Sequence, residues 1–185
     1  YFSRLPLCDL TTGEWDLRWV YGFDTPWYNP NHPCINPVHD NLLFFAHEGL
    51  NVNDRIWILN RDTGKFYNVF KQKKYTEAIK GESNVHESWT FDGDWVLTMK
   101  TDMTVDGIPQ NVGVGRLVMM RYDGTDKRYL PGDADFLHPA SSTVTNRWIV
   151  SDTSYRGVYT DLYLIDNYTW KNYFLARTPQ TGKDP

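Results

Sequence analysis

The sequence predicts an all-β protein, a β-propeller of four-stranded antiparallel blades, of which this chain carries three and a fraction. Three observations lead there. An apolar strand, a polar turn and a second apolar strand recur four times. A histidine-bearing unit recurs between them in register. Helical periodicity is nearly missing, with residues 75–80 the one short candidate.

The first repeat reads Leu7-Cys8-Asp9-Leu10-Thr11-Thr12-Gly13-Glu14-Trp15, then Trp57-Ile58-Leu59-Asn60-Arg61-Asp62-Thr63-Gly64-Lys65-Phe66. Its third and fourth copies are Val118-Met119-Met120-Arg121-Tyr122-Asp123-Gly124-Thr125-Asp126-Lys127 and Leu162-Tyr163-Leu164-Ile165-Asp166-Asn167-Tyr168-Thr169-Trp170. Asp- and Asn-rich turns, three of the four with glycine, between aromatic and β-branched runs are tight antiparallel connections. A recurrence of roughly 45 to 60 residues is the period of a propeller blade.

The second repeat supplies the first two strands of each blade. It opens at His32-Pro33, His86-Glu87 and His138-Pro139 and runs into the apolar stretches 42–46, 95–99 and 148–151. The histidines lie 54 and 52 residues apart. Residues 1–21 then read as the end of one blade, followed by fuller blades at about 27–70, 82–130 and 135–176. Three blades and a fraction do not close a ring of about four to eight. The expectation is therefore a part of a longer propeller, with the remaining blades as its partners, or an assembly of copies. A start without methionine and a polar Thr-Gly-Lys-Asp-Pro end agree with the first.

Composition narrows the function classes. With 16% aromatic residues the chain has ample surface to bury, so disorder is not expected. A net charge of −4 argues against nucleic acid as a partner, and Lys71, Lys73 and Lys74, the only basic run, read as a solvated loop. Apolar runs of three to six residues fall far short of the roughly 20 that cross a bilayer, so no membrane partner is expected. Cys8 and Cys34 read as free thiols in a reducing, cytoplasmic setting.

Propeller topology sorts the loops into two faces. The turns Phe91-Asp92-Gly93, Asp123-Gly124 and Asp62-Thr63-Gly64 are short and share one face; residues 48–54, 101–115 and 153–160 are long and share the other. Long loops on a rigid scaffold are where chemistry usually sits. His32, His86 and His138 each open an innermost strand on that face, His47 closes a second strand there, and His39 lies in a turn on the opposite side. Imidazoles converging from adjacent blades, with Glu48, Glu87 and Asp135 near in sequence, suit a divalent metal. The same repetition would also serve to tie neighbouring blades together. Trp57, Trp89, Trp95 and Trp148 read as packing between blades.

These residues resemble a known group. His32-Pro33 leading to Phe45-Ala46-His47-Glu48-Gly49 and Asp54-Arg55-Ile56-Trp57 is similar to the His-Pro-Gln, Phe-Cys-His-Glu-Gly and Arg-aromatic stretches of the oligogalacturonate lyases. Glu82-Ser83, His86-Glu87 with Trp89, and Asp92-Gly93 resemble that family's Glu-Ser, His-Glu-x-Trp and Asp-Gly stretch. His138 with the strand ending at Asp152 resembles its last histidine strand, and the likeness covers about residues 27–152.

The resemblance implies a seven-bladed propeller, a uronate oligosaccharide substrate and a divalent metal, manganese in that family, held there by three histidines and a glutamine. Cys34 stands where the glutamine of His-Pro-Gln would fall, so the fourth ligand comes from elsewhere, a thiolate draws a softer metal, or the chain is a divergent relative acting on another uronate. The implied reaction is β-elimination: a base removes the proton at C5 of the uronate while the cation neutralises its carboxylate. On this reading His86 and His138 hold the metal with His47 as third ligand, and His32 is the base, the last two roles being exchangeable. Arg55 and Arg116, at the starts of third strands, become clamps for substrate carboxylates or salt bridges within the blade. Tyr155, Arg156 and Lys100 rank behind them. The competing readings are a non-catalytic propeller presenting its face to a protein or glycan, and a glycoside hydrolase using Glu48 and Glu87.

Overall fold

The computed structural model describes residues 3–8, 10–20, 29–48, 54–73, 81–102, 115–130, 135–153 and 158–179. Their order is strand throughout: β1 (Ser3–Cys8), β2 (Trp15–Val20), β3 (Asn29–Ile35), β4 (Leu42–Glu48), β5 (Ile56–Asn60), β6 (Phe66–Asn68) and β7 (Glu82–Trp89). After them come β8 (Trp95–Asp102), β9 (Arg116–Arg121), β10 (Lys127–Tyr129), β11 (Phe136–Ser141), β12 (Trp148–Thr153), β13 (Tyr159–Asp166) and β14 (Asn172–Pro179). β1 and β2 form a two-stranded sheet; β3–β6, β7–β10 and β11–β14 form three four-stranded antiparallel meanders. The fold is that of a β-propeller, and the three four-stranded sheets are blades. The short helical candidate at 75–80 lies outside the described residues, and no helix among them is long and apolar enough to cross a membrane.

Outer hairpins form where the sequence places turn chemistry. Asn60 Oδ1 accepts the Thr63 amide and Gly64 closes the turn at φ 66°. In the last blade the corresponding position is Trp170, which adopts φ 62° although it is not glycine. A left-handed conformation costs an ordinary residue about 1–2 kcal/mol. Asp166 Oδ1 offsets that by accepting the amides of Tyr168 and Thr169, while the Trp170 ring packs on the core between the last two blades.

Strand alternation divides each blade's apolar residues between its two neighbours. In the middle blade Val96, Val118 and Met120 face the first blade, packing with Leu42, Phe44, Ile56 and Ile58. Trp95, Leu97, Met99, Leu117 and Met119 face the third, packing with Phe136, Leu137, Ile149 and Ile165. Polar clips join the same boundaries: Asn36 Nδ2 donates to the Gly93 carbonyl at 2.7 Å, the Trp89 indole to that of Cys34 at 3.0 Å, and the Ser88 hydroxyl to that of Pro139 at 2.9 Å.

The third blade's outward face repeats this pattern without a described sheet against it. Trp148, Val150, Leu162 and Leu164 hold the register places of Trp95, Leu97, Leu117 and Met119. Those four in the middle blade are at most 8% exposed, whereas their counterparts are half-buried and neighbouring Tyr173 is 44% exposed. Trp89 and Trp95 follow the expected interblade packing, while the face of Trp148 meets no described sheet.

Candidate functional site

The innermost strand of every blade is interrupted by a bulge, and a histidine sits in each. The strand register skips His32 and Pro33 between Asn31 and Cys34, His86 and Glu87 between Val85 and Ser88, and Leu137 and His138 between Phe136 and Pro139. A bulge re-aims a side chain that would otherwise point into a blade boundary. His32 and His86 do this with left-handed backbones, φ 50° and 60°, a conformation rare for non-glycine residues and found most often where function requires it.

The three histidines line one cavity of about 350 Å³ together with Arg55, Val85, Glu87 and Pro139. The rings of His86 and His138 meet edge to face with centroids 4.1 Å apart. His138 Nδ1 lies 2.8 and 2.9 Å from the two carboxylate oxygens of Asp152. Burial, the neighbouring His138 and the Arg55 guanidinium push the His86 imidazole down to about 4, so it is neutral at neutral pH and keeps a lone pair to offer.

Arg55 and Glu87 form a bidentate pair across the first blade boundary. Arg55 Nε bonds one Glu87 oxygen, Nη2 reaches the other at 3.3 Å, and the side chains are 9% and 2% exposed. Gln72 braces the arginine by accepting its backbone amide at 2.7 Å and donating to the Glu82 carbonyl at 2.8 Å. Sequence reasoning put Arg55 in this region but did not find its partner, because the two are 32 residues apart and on different blades.

Several expected site residues lie elsewhere. His47 does not line the cavity and is 6% exposed. At the end of β4 it shares the parity of Leu43 and Phe45, which pack away from the middle blade, so strand alternation turns it from His86 and His138. The trio His47, His86 and His138 does not share the cavity; His32, expected beside His86 and His138, lines it with them. Among the described residues no three of His, Cys, Asp and Glu cluster as a metal site.

Arg116 is exposed at the start of β9 and outside the cavity lining, and Lys100 is paired with Glu82 at 3.2 Å. Cys34 lines a second cavity of about 360 Å³ farther along the inner strands, with Trp89, Phe91 and three hydroxyl residues, 141–143. The residue is exposed overall, but the cavity walls around its thiol exclude enough water to raise it above the ordinary value, which disfavours the thiolate a metal would need. Tyr155 and Arg156 lie outside the described residues, as does the Glu48 side chain.

His47 is held down to about 4 by burial, like His86, and this sets a pH dependence of stability. Both bind a proton more weakly folded than unfolded, where the value is 6.5. Their contribution is complete above 6.5 and is lost as pH falls toward 4. The midpoint of thermal unfolding is expected to drop across that window. His47→Gln should flatten the drop, and an equally steep profile in that variant would assign it to other groups.

No protein-family model matches the chain. Over 96 residues, 51% of its length, it is 37% identical to the oligogalacturonide lyase of Pectobacterium atrosepticum, of which the matched stretch is 22%. The fold superimposes on an oligogalacturonate lyase solved in complex with manganese with a TM-score of 0.72 at 23% identity, covering 98% of this chain and 44% of that one. The chain is similar to the oligogalacturonate lyases. A second such lyase, from Vibrio parahaemolyticus, gives a TM-score of 0.69 at 22% identity, covering 95% of this chain and 43% of that one. TolB of Acinetobacter baumannii gives 0.61 at 15% identity over 94% of this chain and 37% of its own, a likeness of fold alone. The chain spans less than half the length of the lyases it resembles.

Proposed function

We propose that the protein is a polysaccharide lyase that cleaves oligogalacturonate by β-elimination. The observation that carries this reading is the meeting of His32, His86, His138 and Arg55 in one cavity, in a chain similar to oligogalacturonate lyases. Elimination breaks the bond to the C4 oxygen after a base takes the C5 proton, and it leaves an unsaturated uronate. His32 is the base in this proposal: it lines the same cavity, where His86 and His138 are the pair whose rings meet and which we assign to the cation. Arg55 lines the same cavity with its guanidinium held by Glu87, and a fixed planar fork matches a uronate carboxylate in charge and shape.

The His86 and His138 side chains fit a divalent cation. One imidazole is kept neutral, and the other has its Nδ1 taken by a carboxylate, as metal-ligating histidines usually do. A bound cation supplies Lewis-acid neutralisation of the carboxylate next to C5. Two imidazoles leave further coordination positions, which we assign to water, substrate or donors on blades facing this arc. The half-buried apolar stripe of Trp148, Leu162 and Leu164, whose counterparts in the middle blade are buried, supports the companion proposal that the working protein is a larger propeller containing these blades.

Glu87 is engaged by Arg55, which weighs against a hydrolase using it as a free acid. The test is incubation of the protein with oligogalacturonate and Mn2+, followed by ultraviolet absorbance and reducing ends. Lyase action gives both signals together. Reducing ends without the unsaturated chromophore would establish hydrolysis instead, and neither signal would favour a binding propeller.

A further inference from the structure

The three cavity histidines are aimed in two different ways. His32 and His86 turn inward on left-handed backbones; His138, in the equivalent bulge, does not. Instead, one carboxylate holds it at two points: Asp152 Oδ1 accepts the His138 backbone amide at 2.8 Å, and both Asp152 oxygens lie within 2.9 Å of Nδ1.

Register shows that this aspartate is not a packing residue. Asp152 pairs with Leu162 on the third strand of its blade, as Met99 pairs with Leu117 and Ala46 with Ile56. Met99 and Ala46 are 1% and 0% exposed, Met99 within the core between the last two blades. The slot carries a carboxylate only in the blade whose histidine lacks the left-handed turn.

We propose that Asp152 is the positioning residue of the site, holding His138 as its Nδ1–H tautomer so that Nε2 is the nitrogen presented to the cavity. An ionised carboxylate only accepts, so the ring nitrogen facing it carries the hydrogen. The nitrogen left over has a lone pair, which is what a cation or a proton donor in the cavity requires. The metal half of this inference rests on the proposed function; the tautomer half does not.

The experiment is long-range proton–nitrogen NMR on the metal-free chain labelled in histidine, at neutral pH, with a Mn2+ titration by paramagnetic resonance alongside. In the parent, His138 is expected as the Nδ1–H form. In Asp152→Ala, which restores the residue of the Ala46 slot, it is expected to shift toward the Nε2–H form, with Mn2+ affinity reduced about 10–100-fold. Asp152→Asn keeps the shape and serves if the alanine variant does not fold; its neutral amide should show the same direction of change. An unaltered Nδ1–H tautomer in both variants, or a His138 ring protonated on both nitrogens in the parent, would overturn the proposal. A parent that binds no Mn2+ would sink the metal reading of the site while the tautomer result still decides the role of Asp152.

Discussion

Glu87→Ala is expected to destabilise the protein by about 3–5 kcal/mol, the usual cost of stranding one member of a buried ion pair. The magnitude follows from burial: with side chains 9% and 2% exposed, the guanidinium left behind has little water to turn to. The pair also spans the boundary between the first two blades, so its loss loosens the wall that carries His86. Removing both charges should cost far less, because buried pairs replaced by apolar groups of similar volume are often neutral. Urea unfolding of Glu87→Ala, Arg55→Met and the double variant Arg55→Met/Glu87→Leu checks this. If Glu87→Ala costs less than about 1 kcal/mol, the pair behaves as a solvated surface bridge. The double variant separates stability from function: it should fold while losing the cavity cation, and with it turnover on uronates.

His32→Ala is expected to lower turnover on oligogalacturonate by about 10²–10⁴-fold, the range of a general base. Mn2+ affinity should change little, since on the proposed assignment His32 moves a proton and holds no metal. His86→Ala is expected to lose Mn2+ and turnover together. Paired metal analysis and rate measurements distinguish the two. Full activity in His86→Ala would end the metal-assisted reading, and loss of Mn2+ in His32→Ala would exchange the roles of base and ligand. His47→Ala should leave both quantities near the parent values, because the side chain lies outside the cavity lining.

Legibility varied with the range of the interaction. The turns could be read because Asn60, Gly64, Asp123 and Gly124 act within a few residues of themselves. Even the fourth hairpin, without glycine, carried its signal in Asp166, whose carboxylate caps the turn locally. The equivalence of His32, His86 and His138 was legible too, because one blade period separates like positions. His47 was assigned to the site from its place at a strand end. Its parity in β4 decides otherwise, and parity relative to a bulge cannot be read without the pairing register. Asp152 passed as the end of a strand, since its meaning depends on the ladder that sets it against the His138 bulge.

By itself the sequence determined the all-β class, the blade period and the face on which the histidines gather, since these rest on local hydrogen bonding and on alternation along single strands. Only the tertiary structure decided that His47 stays outside the cavity lined by His32, His86 and His138, that Arg55 is held by Glu87, and that Asp152 holds His138. The first two depend on which faces of different blades meet, and the last on a bulge in the ladder between two strands; one displaced residue in a strand reverses where every later side chain points.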